Sequence, residues 1–559
     1  MRRILACSTA LVIGLGLAAA LTAGASSAAQ VKSNAAGSPP AAATPAPWPM
    51  FHRDPNHTGL ITDAVGDVLP GGPLVRWKYR VTDPLTSTTD LAYYRWATTF
   101  PLGDLDGDGK LEIIVTTPDV ISPVVATLNG APVPDRIIAL KDTPGQDPPV
   151  HVMWIYTSTL PAGNSNFDTY SPALADADGD GKLDVIFTAG DGIVRALKGT
   201  NGHLLWQYDT GRITEAGPML ADLEGNGSQQ AIIVTACQDG TYCPDADKEA
   251  RLIVLPITGT GTITQPLWSL SYPYKMDSAE PAVADLDLSD GQNRKAIIAG
   301  TWGGNLLVAW RQPGGTVVSN TLDLHNLDGG VPLTETPVIR SSPLIWDWGE
   351  GPTAVFAWLP TDQNVSDSRL SAVGLDANML AGTVHFTNRW TRATPNDVPN
   401  IWKSSPTLLP DPGHGPPKIV AGYGLGIQQP AQSGPVGQCD PPYVTGGIVA
   451  INYAGGTIAW QHSYSGTEGN IRASAAVADI NGDGVADVIL PVGCYGKLHS
   501  YSAAGAEEWT LQLGPRAQNS PSIGDLDGDG KLDIVLGSYD GNVWALSGGA
   551  RLYLPAVVR

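Results

Sequence analysis

Four stretches of nine residues carry oxygen-bearing side chains at one spacing: DLDGDGKLE from Asp104, DADGDGKLD from Asp176, DINGDGVAD from Asp479 and DLDGDGKLD from Asp525. Each offers side-chain oxygens at positions 1, 3, 5 and 9, a backbone carbonyl at 7, and Gly at 6 where the chain must turn sharply. This is a calcium-binding pattern. A hard cation of that size takes about six to eight oxygens, and carboxylates held this close repel one another without it. The first set is Asp104, Asp106, Asp108, the Lys110 carbonyl and Glu112; the second is Asp176, Asp178, Asp180, the Lys182 carbonyl and Asp184. The third is Asp479, Asn481, Asp483, the Val485 carbonyl and Asp487; the fourth is Asp525, Asp527, Asp529, the Lys531 carbonyl and Asp533.

Elsewhere the pattern decays. DLEGNGSQQ keeps oxygens at Asp222, Glu224, Asn226 and Gln230 but loses charge at the last two, so it is a weaker fifth candidate. DLDLSDGQN from Asp285 lacks Gly at position 6, and no such loop follows Asp347 or Asp411. The cofactor expected is Ca2+, at about four sites. Recognisable catalytic motifs are missing: the chain has no GxSxG, HExxH or P-loop, and its nine His show no metal spacing. His52 and His57 are read as structural. Carboxylate pairs brought together from separate repeats remain an open route to glycoside chemistry.

The elements that must position the loops repeat. An apolar run ending in an acid recurs at Asp104, Asp176, Asp222, Asp285, Asp347, Asp411, Asp479 and Asp525. Two intervals of 46 residues show the bare unit, and the others, of 62 to 72, carry insertions. A period near 46 suits a four-stranded propeller blade. Four short β-type runs fit one unit: SPALAD, DVIFTA, IVRALK and LLWQY, separated by turns too tight for parallel crossovers. The last unit supplies three such runs and stops, whereas PLVRWKYRV at 73–81 matches a fourth run with no preceding three. The expectation is an all-β, eight-bladed propeller at 48–549 whose last blade is closed by strand 73–81. A linear solenoid would leave that strand unexplained.

Composition agrees with this layout. Among 559 residues, 65 Gly and 46 Pro argue against an all-helical chain, and a formal charge of -21 makes nucleic acid an unsuitable partner. Arg2 and Arg3 followed by an apolar stretch and small residues read as a signal peptide over 1–29, the alternative being a retained anchor. A Pro/Ala-rich linker follows at 30–47, and a tail occupies 550–559. No later segment has 18 uninterrupted apolar residues, so the mature chain is expected to lack a transmembrane segment and to be secreted or at the cell surface. Cys237, Cys243, Cys439 and Cys494 would remain, an even number suited to disulfides. Cys237 with Cys243 and Cys439 with Cys494 is the pairing considered; a four-thiolate zinc site is the alternative, although the chain has no CxxC.

The four loops, each followed by a strand and a Gly-bounded turn such as SYDGNVWALS, closely resemble the FG-GAP or VCBS repeat, the calcium-binding blade also found in integrin α-subunits. WPMFHRDPNHTG at 48–59 and the LKGTNGHLLWQY type of turn resemble parts of eight-bladed quinoprotein-like propellers. That second resemblance implies that Trp77, Trp154, Trp206, Trp268, Trp460 and Trp509 dock adjacent blades. The adjacent cysteines of quinoprotein dehydrogenases have no counterpart, so their activity is not carried over. The tail RLYLPAVVR resembles a Tyr-Leu-Pro ending of secreted bacterial proteins. The function expected is a secreted, monomeric adhesion, recognition or scaffold module for an extracellular protein or glycan. The alternative is a calcium-dependent polysaccharide lyase. Insertions at 118–135, 238–250, 361–368 and 423–446 would decorate one face of the ring.

Overall fold

The fold is seen in a computed structural model. The structure describes residues 47–81, 99–117, 135–158, 171–214, 216–237, 249–276, 279–287, 293–327, 336–360, 368–393, 404–424, 445–465, 468–469, 471, 473–493, 496–514, 517, 519–538 and 541–548. They form eight antiparallel sheets of four main strands each. The innermost strands are short and mostly buried, and several are rich in small residues, for example Ala173–Ala175, Ala282–Ala284 and Ala476–Ala478, as suits the place where eight sheets converge on one axis. Two extra pairings were not legible in the sequence. Gly261–Thr262 runs parallel to the outer strand of blade 2, and Val338–Ile339 adds to blade 5.

Ring closure follows the sequence expectation. Leu74–Arg80 is the outer strand of blade 8, antiparallel to Asn542–Ser547 from Leu74 opposite Ser547 to Arg80 opposite Asn542. The blade's other strands are Asp533–Ser538 and Ser522–Gly524, so residues far apart in sequence complete one sheet.

The inner edges present N–H groups to the axis, and the segment at 48–61 accepts them in turn. Leu102, Leu174, Val283, Ile345, Leu408 and Val477 donate to the carbonyls of Trp48, Pro49, Pro55, Asn56, Thr58 and Gly59, at 2.7 to 2.9 Å. Those donors belong to blades 1, 2, 4, 5, 6 and 7. His52 and His57 are buried within this segment, their Nδ1 atoms against the His57 and Pro343 carbonyls at 3.2 and 3.0 Å. Burial lowers their pKa values to about 4 and about 3, so both are neutral structural groups at physiological pH. The chain then leaves along the seam of blades 7 and 8, where Gly66 and Val68 donate to the Asp479 and Ile480 carbonyls.

A second belt sits at the start of the inner strands. The N–H groups of Thr99, Glu280, Ser342, Ser405 and Ser474 donate to the hydroxyls of Ser171, Ser342, Ser405, Ser474 and Ser520, each in the next blade, at 2.8 to 2.9 Å. The recurring Ser-Pro dipeptide ahead of the anchor is its sequence trace.

Outer strands dock through tryptophan. The indole N–H of Trp154 donates to the Gly199 carbonyl at 2.6 Å, Trp206 to Ile257 at 2.7 Å and Trp460 to Ala503 at 3.1 Å, in each case at the turn of the following blade. Trp390 does the same to Tyr453 at 2.7 Å, an interface the sequence reading missed. A glycine receives the ring: at Gly202, with φ of +72°, an added Cβ would lie 2.7 Å from Trp154. Trp77 spans the closure seam, donating to Asp142 Oδ1 at 2.8 Å. Trp268 and Trp509 are also buried. Among the described residues the Trp509 indole N–H has no partner; in blade 8 the third and fourth strands come from separate chain segments, so that turn is missing.

Trp77→Ala removes the packing and the hydrogen bond at the closure seam. Truncation of a buried Trp costs about 3–5 kcal/mol, and that loss is expected in urea unfolding; a change below about 1 kcal/mol would show that closure does not rest on this residue.

Candidate metal centres

The four loops fold alike. The carboxylate at position 1 accepts three backbone N–H groups, from positions 4 and 5 on Oδ1 and from position 6 on Oδ2. For Asp104 the donors are Gly107, Asp108 and Gly109 at 2.7, 3.1 and 3.0 Å. Asp176, Asp479 and Asp525 repeat the set at 2.6 to 3.1 Å. The glycines at positions 4 and 6 make this possible, with φ of +79° at Gly107 and +87° at Gly109, a region that penalises a Cβ. The ninth residue is anchored from below, one oxygen of Glu112, Asp184, Asp487 and Asp533 accepting the N–H of position 2 at 2.8 to 3.1 Å.

In three of the four loops the hairpin between first and second strands gathers three of the predicted carboxylates; the loop at Asp479 shows no such cluster among the described residues. Ligand oxygens of Asp104, Asp106 and Asp108 lie within 4.8 Å of one another, as do those of Asp176, Asp178 and Asp184, and of Asp525, Asp527 and Asp533. The donor set is entirely hard oxygen, which fits Ca2+ rather than a softer metal. Two wholly inaccessible carboxylates are poorly compensated: among the described residues Asp487 Oδ1 has no hydrogen-bond partner, and Glu112 Oε1 has only the Lys141 ammonium, 3.4 Å away. Burial is the largest cause raising Glu112 to about 7, with Asp106 and Asp108 adding to it; burial and then Glu508 raise Asp487 to about 8. Buried carboxylates under this repulsion fit a bound cation.

Cations of the chain itself reach three of the loops. Lys141 Nζ pairs with Asp106 and lies 2.8 Å from Asp108 and 3.4 Å from Glu112. Lys198 Nζ pairs with Asp178 and lies 2.5 Å from Asp180. Arg76 bridges Asp527, at 2.8 Å, to Asp142 of blade 1, at 2.5 Å. Sequence reasoning missed all three, because they sit on third or fourth strands, away from the nonapeptides.

The decayed loop of blade 3 is self-satisfied. Gln230 Oε1 accepts from Leu223 N at 2.8 Å, which orients the amide so that Nε2 donates to the Ser228 carbonyl at 2.6 Å. That carbonyl is the one position 7 would give to a metal, so the geometry argues against the fifth site at Asp222. In blade 4, residues 288–292 lie outside the described residues. Asp347 and Asp411 cap ordinary turns through Gly349 and Gly413.

Of the cysteines only Cys237 is among the described residues, so the expected pairings with Cys243, Cys439 and Cys494 lie outside them. The same holds for the signal peptide, the linker up to 46, the tail and most of the insertions. No described helix is long and apolar enough to cross a membrane.

Set beside known proteins, residues 517–549 match the FG-GAP repeat, which places the loop at Asp525 inside a recognised unit. No curated protein matches by sequence. Among solved structures, a quinohemoprotein alcohol dehydrogenase from Comamonas testosteroni is similar at 13% identity and a TM-score of 0.54, covering 92% of this chain and 82% of that one. A europium-containing methanol dehydrogenase gives 12% and 0.52, covering 90% and 98%; Sqt1 from Saccharomyces cerevisiae gives 9% and 0.50, covering 85% and 100%. At such identities the likeness shows the fold alone. The chain is thus an eight-bladed β-propeller carrying an FG-GAP repeat, in the architecture shared with quinoprotein dehydrogenases.

A carboxyl raised in the folded state binds more protons there than in the unfolded chain, so its contribution to stability is full below the unfolded value and lost as pH rises through the folded one. Glu112 and Asp487 place that loss between about pH 4.5 and 7 and between about pH 3.8 and 8. In chelator the melting temperature is expected to fall from pH 5 to pH 8, and Asp487→Asn to flatten the fall. A chelated wild-type protein whose melting does not change over that range would contradict the assignment.

Proposed function

We propose that the protein is a secreted, monomeric β-propeller, stabilised by Ca2+, that serves as an extracellular recognition or scaffold module for a protein or glycan ligand. The observation that supports it best is the fourfold recurrence of one loop backbone geometry, with carboxylate oxygens gathered in three of the loops and, among the described residues, a buried Asp487 oxygen without a hydrogen-bond partner in the fourth. The ligands proposed are the position 1, 3, 5 and 9 side chains and position 7 carbonyls of the loops at Asp104, Asp176, Asp479 and Asp525. Closed rings with short, paired edges resist unfolding and self-association while presenting loops on two faces. Such a scaffold suits display better than it suits any one chemistry. The ion's part is structural: it neutralises acids that the fold has forced together. Export accords with the N-terminal sequence and with an external medium rich enough in calcium to fill moderate sites.

A site of Kd about 10 μM in about 1 mM Ca2+ contributes ~2.7 kcal/mol by linkage. Thermal melting in calcium is expected to exceed that in chelator by a wide margin, and an unchanged melt after exhaustive chelation would remove calcium from the account. Arrays of glycans and extracellular proteins, read with and without calcium, test recognition. Chelator-sensitive release of unsaturated products from acidic polysaccharides would instead establish a lyase.

A further inference from the structure

Around the four acidic loops, two positions outside the nonapeptide differ from blade to blade. The first is the third-strand residue opposite the ninth loop residue. Glu112 pairs with Lys141 and Asp487 with Ser502. One step beyond Val185 opposite Leu197, and Ile534 opposite Leu546, the same place holds Lys198 in blade 2 and Ser547 in blade 8. The second is the residue before the docking tryptophan. It is the extra residue of a β-bulge in all four blades: Met153, Leu205, Glu508 and Arg76 are skipped by the register beside Trp154, Trp206, Trp509 and Trp77. A bulge re-aims a side chain. In blade 8 it delivers Arg76 to Asp527, and in blade 7 it brings Glu508 Oε1 to 3.4 Å from Asn481 Nδ2.

From these two positions each loop of blades 1, 2 and 8 therefore meets a built-in cation, Lys141, Lys198 or Arg76. The loop of blade 7 meets none at these two positions and gains an acid. Its nonapeptide has Asn481 where the others have Asp, and Glu508, from another strand, brings a carboxylate oxygen against the Asn481 amide. Ser500 holds Glu508 by donating to Oε2 at 2.9 Å, leaving Oε1 on the Asn481 side. A second observation marks the same place: among the described residues the wholly buried Asp487 Oδ1 has no hydrogen-bond partner.

We propose that blade 7 holds the tightest divalent-cation site of the chain and that Glu508, from outside the loop, is one of its binding residues, whereas Ca2+ entering blades 1, 2 and 8 must displace Lys141, Lys198 or Arg76. This rests on the calcium reading above and orders its sites. An ammonium or guanidinium among the carboxylates competes directly with the ion, and an extra carboxylate favours it.

Isothermal titration of the full-length protein with CaCl2 tests the order. Wild type is expected to show one tight class and a weaker remainder. Glu508→Gln, which keeps the shape and an acceptor for Ser500, is expected to weaken the tight site by about tenfold or more. Ser502→Lys, copying blades 1 and 2, is expected to do the same, and Lys141→Met to tighten one weak site. Binding in one uniform class that Glu508→Gln and Ser502→Lys leave unchanged would overturn the ordering while leaving calcium binding in place. A wild-type titration with no binding would overturn the calcium reading itself.

Discussion

The structure depends on satisfying the inner edges of eight sheets. An innermost strand of two to four residues has a row of N–H groups facing the axis, with no neighbouring strand to receive them. The segment at 48–61 answers for six blades by laying its carbonyls across them in sequence. Because that segment must then leave the centre, the chain passes between blades 7 and 8 and becomes the outer strand of blade 8. The filled axis and the closed ring are thus two ends of one path. Arg76 and Trp77 fasten it, both bonding Asp142 of blade 1.

The metal loops inherit their precision from this frame. Each hangs between first and second strands of a blade whose position is fixed by the hydroxyl belt inside and the tryptophan outside. The bulge that lets the tryptophan face the next blade also sends the preceding residue toward the loop, so blade docking and the charge around the loop are set by neighbouring residues in one strand. Repetition supplies the common geometry; one residue in the bulge and one at the end of the third strand make each site different.

Much of this was legible in the sequence. Eight anchors, the four-run unit and the orphan run at 73–81 led to eight blades and their closure, because strand length and turn chemistry are local properties. Three of the expected carboxylates come together in each of the loops at Asp104, Asp176 and Asp525, since the Gly residues at positions 4 and 6 shape the loop almost alone. What remained hidden is non-local. Lys141, Lys198, Arg76 and Glu508 reach the loops from other strands, and only register shows it. Gln230 looked like a weakened ligand until its amide proved to occupy the Ser228 carbonyl. The histidines of the N-terminal motif were read as structural, but the motif's task of receiving inner-strand donors lies in backbone atoms that no side-chain pattern reports.

The central claim is that divalent ions sit within these loops and hold their carboxylates together. Crystals grown in calcium, with the ions located by anomalous scattering, test it most directly. The account predicts peaks among the oxygens at positions 1, 3, 5, 7 and 9 of the four loops, the strongest in blade 7 beside Glu508. Loops without peaks at saturating calcium, with Lys141, Lys198 and Arg76 still among the carboxylates, would contradict it.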